Sequence, residues 1–147
     1  MKAPTVVAAI IQARMGSTRL PGKVMLELGG ETVLDKVVRR TARASTLSAV
    51  VVATTTAGAD DVIATHCARH GYACFRGSEE DVLSRYCGAA AAVGADLVVR
   101  ITSDCPLTDP ELVDLHVTRM LEAFGRADFI TNMLRETYPL GLAVEVL

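Results

Sequence analysis

The residues best suited to chemistry in this sequence lie between positions 12 and 23: Gln12-Ala13-Arg14-Met15-Gly16-Ser17-Thr18-Arg19-Leu20-Pro21-Gly22-Lys23. Three cations and two glycines share that stretch, and no acid occurs before Glu27. Glycine lets a backbone come close to an anion, successive N–H groups can form a nest, and Arg and Lys neutralise oxygens that amides alone would not. Such a loop suits a polyphosphate. It is not a Walker A loop, which has four residues between its glycines and a hydroxyl residue after its lysine. Here five residues separate Gly16 from Gly22, and Val24 follows Lys23. Nor does the loop contain Gly-x-Gly-x-x-Gly, the main sequence argument for a dinucleotide oxidoreductase. The bland alternative is a solvated surface loop rich in turn residues.

A second cluster, Arg100-Ile101-Thr102-Ser103-Asp104-Cys105-Pro106, places one carboxylate just past a run of strand character. Mg²⁺ commonly takes one or two protein carboxylates and completes its shell with water and substrate phosphates, so Asp104 is the candidate metal ligand. An Asp before a Pro-containing turn also caps backbone donors, and that reading stays open. His66 and His70 stand at i and i+4 and could face one metal on a helix, but the sequence identifies no third ligand and has no Glu after His66. A solvated helix face is the expectation there. Cys67, Cys74, Cys87 and Cys105 form no Cys-x-x-Cys pair and read as buried thiols.

Something must position these loops. With 147 residues, 50% of them hydrophobic and 22% charged, the chain can bury a core as one domain spanning 1–147, which excludes disorder. The aromatic share is 4% with no Trp, too little for a base-stacking surface, and the net charge of -2 lacks the basic excess of nucleic-acid or membrane binders. No nucleic-acid or membrane partner is therefore expected. Residues 6–11 are too short a run to span a bilayer, no cleavage site follows them, and the chain reads as cytoplasmic.

Residues 6–11, 50–54 and 97–101 are continuous runs rich in Val, Ile and Thr, the pattern of parallel strands covered on both faces. Between the first two, Val33, Leu34, Val37, Val38 and Ala42 make one helical stripe. A second helix starts near Asp60 and Asp61 and stops before Gly71, with a short strand over 72–75. Ser78 with Asp81 three positions on resembles a capping box before a helix over 82–93, which Gly94 ends. Asp109 followed by Pro110 opens another helix to about Phe124, and Phe129 with Ile130 suggests a further strand. Alternating strands and helices predict an α/β, three-layer domain with a mainly parallel sheet, its ligand beyond the carboxyl ends of the strands.

Taken together, these stretches resemble the cytidylyltransferases that activate sugar acids, among them the synthetases of the CMP forms of keto-deoxy-octulosonate and acylneuraminate. The resemblance rests on residues 11–23 with Gly29-Gly30 and Leu34 downstream. It is closest to the spore-coat polysaccharide biosynthesis branch, through Arg76-Gly77-Ser78-Glu79-Glu80-Asp81-Val82-Leu83, the 100–106 cluster and Tyr138-Pro139-x-Gly141-Leu142. It implies a Rossmann-like nucleotidyltransferase fold in which Arg14, Gly16, Ser17, Arg19 and Lys23, with Ala13 beside them, bind the triphosphate of CTP. Asp104 would help hold Mg²⁺, Arg76 and Ser78 would approach the nucleoside, and Lys23, Arg14 and Asp104 would carry catalysis. The implied reaction is attack by a sugar-acid hydroxyl on the α-phosphorus of CTP, releasing pyrophosphate for surface polysaccharide biosynthesis, and the implied assembly is a homodimer. Family domains continue past the point where this sequence stops, so residues 1–147 are expected to lack a C-terminal part and to end in an open apolar strand edge at 143–147. At Ala143 the related branch usually has Asp. A transferase using another nucleoside triphosphate, and a non-catalytic nucleotide-binding or assembly module, are the alternatives.

Overall fold

The computed structural model describes residues 6–135 and 138–147. Along the chain run β1 (Val7–Gln12), β2 (Glu27–Leu28), β3 (Glu31–Thr32), α1 (Val33–Thr41), β4 (Ala49–Thr55), α2 (Asp61–His70), β5 (Ala73–Gly77), α3 (Val82–Ala92), β6 (Leu97–Thr102), α4 (Pro110–Glu122), β7 (Ile130–Thr131) and β8 (Glu145–Val146). Six strands form one sheet in the order β5-β4-β1-β6-β8-β7. The pairs β5-β4, β4-β1 and β1-β6 are parallel, and β8 runs antiparallel to both its neighbours. The expected α/β fold with a mainly parallel sheet is present.

Because successive side chains on a strand point to opposite faces, the apolar runs feed two cores at once. Ala9, Ile11, Val52, Val99 and Ile101 meet Leu34 and Val37 of α1, Ile63 and Cys67 of α2, and Val113, Val117 and Met120 of α4. On the other face Ile10, Val51 and Ala53 meet Ala89 of α3. One helix cannot cover that whole face. β1 is therefore buried almost throughout, whereas β6 alternates buried and half-buried residues, a departure from the two-sided burial its composition suggests.

The helix boundaries follow their capping residues. Thr32 and Asp35 make a reciprocal capping box at the start of α1, Gly71 ends α2 at φ 70°, and Asp109 caps α4 with Pro110 in its first turn. At α3 the expectation is corrected. Asp81, not Ser78, accepts the N–H of Ser84 as the cap, while Ser78 Oγ accepts the Asp81 N–H at 3.0 Å. The expected open edge is also corrected, since β8 lies inside the sheet between β6 and β7 with Val146 fully buried. Buried thiols hold only for Cys67; Cys74 and Cys87 are exposed and Cys105 is intermediate. No helix among the described residues is long and apolar enough to cross a membrane.

Candidate active site

β1 is flanked by β4 on one side and β6 on the other, so the chain leaves it in one direction and later returns on the opposite side. That reversal opens a crevice beyond the strand ends. A cavity of about 220 Å³ occupies it, lined by Gln12, Arg14, Ser17, Thr18, Arg19, Lys23, Val24, Thr102, Ser103 and Asp104. The two stretches singled out from sequence thus meet in space, because β1 and β6 are hydrogen-bonded neighbours with Gln12 opposite Thr102.

Several contacts fix the shape of the cationic loop. The Met15 carbonyl accepts the N–H groups of both Ser17 (2.8 Å) and Gly22 (2.9 Å), closing the loop on itself. The buried Asp60 carboxylate accepts the Met15 N–H at 2.7 Å and the Thr55 hydroxyl, tying the loop to the end of β4. Gly22 takes the left-handed conformation at φ 70° that starts a short helical turn, Lys23–Met25, and Val24 is buried beneath it. Lys23 is thereby aimed into the cavity.

Within it, Lys23 Nζ donates to Asp104 Oδ2 at 2.6 Å. The Lys23 ammonium holds the Asp104 carboxyl below the usual carboxylate range, against a smaller upward push from burial. Oδ1 of Asp104 accepts a weak thiol contact from Cys105 at 3.9 Å, and the neighbouring Thr102 side chain also helps hold the carboxyl down. Arg14 and Arg19 make no ion pair among the described residues, and the N–H groups of Gly16, Thr18 and Arg19 meet no acceptor there. A Cβ added at Gly16 would meet nothing within 4 Å, so packing does not require that glycine. Three cations and one carboxylate line the same cavity, and the loop that carries the cations also holds these unpaired amide donors. This arrangement binds anions.

Not every expected residue joins it. Ala13 is buried in the core and its N–H donates to the Ala53 carbonyl at 3.1 Å, so it supports the loop from below. Arg76 and Ser78 do not line the cavity. The Arg76 guanidinium donates to the Thr55 and Ala57 carbonyls at 2.8 and 3.1 Å and pairs with Asp61 at 2.7 Å. Ser78 is held through its carbonyl by the buried Arg85. Sequence reading placed Gln12, Thr18, Thr102 and Ser103 inside its two candidate stretches but gave them no role of their own, although Gln12 and Thr102 end strands, where such folds place ligands. It read Asp60 only as a helix-start acid.

Comparison with known proteins gives the class. A sequence model described as cytidylyltransferase matches residues 8–140, and the chain belongs to that family. It is 40% identical over 141 residues to the spore coat polysaccharide biosynthesis protein SpsF of Bacillus subtilis strain 168, covering 93% of this chain and 57% of the relative. It is 36% identical over 118 residues to the 3-deoxy-manno-octulosonate cytidylyltransferase of Geobacter sulfurreducens, covering 79% and 46%. Among solved structures, a cytidylyltransferase from Leptospira borgpetersenii superposes with a TM-score of 0.91 at 40% identity, over 96% of this chain and 59% of that one. The chain thus spans somewhat more than half the length of these relatives, or slightly less in the Geobacter case.

Proposed function

We propose that the intact protein transfers CMP from CTP to a sugar acid, releasing pyrophosphate, as a step in surface polysaccharide biosynthesis. The observation that carries this reading is the cavity at the ends of β1 and β6, which Arg14 and Arg19 line together with the Lys23–Asp104 pair. Family membership supplies the cytidylyl class. At about 220 Å³ the cavity is smaller than the ~300–1,000 Å³ that whole small-molecule ligands usually occupy. It suits the phosphate tail, and the nucleoside and sugar need surface beyond it.

In this proposal Arg14, Arg19 and Lys23 neutralise the triphosphate while the Gly16, Thr18 and Arg19 N–H groups and the Ser17 hydroxyl orient it. Asp104 fits Mg²⁺, because one partly exposed carboxylate beside a cationic, phosphate-sized cavity is what that ion takes from a protein. Bound there, Mg²⁺ would offset charge on the phosphoryl oxygens. Lys23, paired with Asp104 before substrate arrives, exchanges that carboxylate for phosphate oxygens when the nucleotide binds. Its positive charge then lies where charge builds on the departing pyrophosphate. A homodimer and a cytoplasmic location, with no nucleic-acid or membrane partner, belong to the same proposal; sedimentation and cell fractionation read the first two.

The test is pyrophosphate release by the intact protein with CTP, Mg²⁺ and a panel of keto-sugar acids, beside a thermal-shift series of nucleoside triphosphates. Release with CTP and at least one sugar acid is expected. A preference for GTP or UTP would replace this reading with another nucleotidyltransferase, and nucleotide binding with no release for any acceptor would replace it with a binding module.

A further inference from the structure

His66 and His70 lie one turn apart on α2, and the fold supplies the third group that the sequence does not reveal. Asp35, in the first turn of α1, is buried and faces both imidazoles: its Oδ1 lies 2.8 Å from His66 Nε2 and 3.9 Å from His70 Nδ1. Its other oxygen accepts the Thr32 N–H at 3.1 Å and the Thr32 hydroxyl at 2.7 Å, which fixes the carboxylate's orientation. Tyr72 adds a hydroxyl donor to Oδ1 at 3.0 Å.

A hydrogen-bonded clasp between two helices would explain His66 and Tyr72. It does not explain His70. That ring is 46% exposed, stands beyond hydrogen-bond reach of Asp35, and stacks on His66 with centroids 4.2 Å apart, yet turns Nδ1 toward the same oxygen. Among the described residues, the ion pairs of Asp35 are with these two histidines. A cation between the three groups would give His70 a role.

We propose that Asp35, His66 and His70 form a binding site for a borderline divalent transition cation, with Zn²⁺ as the best match. One donor atom from each residue lies within 4.8 Å of the other two. Around a tetrahedral zinc, bonds of about 2.0–2.1 Å put donor atoms roughly 3.3 Å apart. The observed 2.8 and 3.9 Å bracket that spacing. Two imidazole nitrogens and one carboxylate oxygen suit Zn²⁺, leaving a fourth position for water, and are too rich in nitrogen for Mg²⁺ or Ca²⁺. Thr32 supplies the outer hydrogen bonds that orient a ligating carboxylate. None of the three residues lines the nucleotide cavity. The site would staple the start of α1 to the end of α2.

The test uses chelator-treated intact protein titrated with Co²⁺, read by its visible absorption, and with Zn²⁺, read by calorimetry and melting temperature. One equivalent of each is expected, with nitrogen and oxygen ligation in the cobalt spectrum and a higher melting temperature with Zn²⁺. His70→Ala removes a ligand while leaving the Asp35, His66 and Tyr72 contacts in place, so it should fold normally. Its affinity should fall by more than the ~10–100-fold that losing an outer-sphere partner costs. No binding, a cobalt spectrum showing thiolate ligation, or unchanged affinity in a folded His70→Ala protein would each overturn the site.

Discussion

Lys23 and Asp104 neutralise each other in a cavity whose remaining charged lining is the two cations Arg14 and Arg19. Both are partly exposed, and such pairs contribute about 0–1 kcal/mol to folding. Lys23→Ala should therefore melt within a few degrees of the parent while turnover in pyrophosphate release falls ~10²–10³-fold, the usual loss when one donor to a developing charge is removed. Equal losses of stability and activity would mean that Lys23 is structural. The cationic loop was legible because its chemistry is local, with Gly and Arg types crowded into twelve residues. Asp60 was not. It acts on Met15 from 45 positions away, and nothing in its neighbourhood marks it as more than an acid at a helix start. Asp35 escaped for the same reason: its partners His66 and Tyr72 lie 31 and 37 positions away along the chain.

Elements with several turns or several β-branched residues were readable from period and capping chemistry: α1 stands where its apolar stripe places it, and α2 and α4 stand close to where their caps place them. The hairpin of β2 and β3 was not, since two-residue strands carry no period. Gly88, inside α3, shows where packing overrides propensity. Replacing an interior helical glycine by alanine ordinarily gains about 1 kcal/mol. Here a Cβ would fall well inside contact distance of the Phe75 ring of β5, and overpacking of this kind costs about 1–3 kcal/mol. Gly88→Ala should lower the melting temperature, and a rise would show that the ring yields.

Asp114 works at the same scale by fastening α4 to the loop before β4. Its Oδ1 accepts the Thr46 N–H and hydroxyl at 2.8 and 2.7 Å, and its Oδ2 accepts those of Ser45 at 3.0 and 2.9 Å. Burial pushes the carboxyl upward, but these four hydrogen bonds together pull it below its ordinary value. A carboxyl depressed on folding stabilises the protein above its unfolded pKa, about 3.9, and loses that contribution as pH falls through the folded value. Asp114→Asn should cost roughly 2–6 °C in melting temperature near pH 7, with the gap to the parent closing in melts below pH 4. A gap constant across that range would assign the effect to shape rather than charge.

At the scale of the whole molecule, the layered order of strands and helices could be read from alternation alone, but the insertion of β8 could not. Its two residues pair with Val99 and Arg100 on one side and with Ile130 and Thr131 on the other, contacts that close long stretches of chain and leave no local pattern. β8 reverses direction in the sheet and covers the edge that β6 would otherwise expose. Val146 is the buried plug of this closure, and Glu145 pairs with Arg100 at 2.5 Å on the half-buried side. The two positions should respond very differently. Val146→Asp would bury a carboxylate without a cation among β6, β7 and α4, and freeing the β6 edge invites strand-to-strand association. Its expected outcome is a loss of soluble yield, with the remainder eluting as aggregate on size exclusion. Glu145→Gln keeps the backbone ladder and removes only a partly exposed ion pair, so it should stay soluble with a change of no more than about 1 kcal/mol in denaturant unfolding. Soluble, cooperatively folded Val146→Asp protein would mean that β6 is covered by something other than β8.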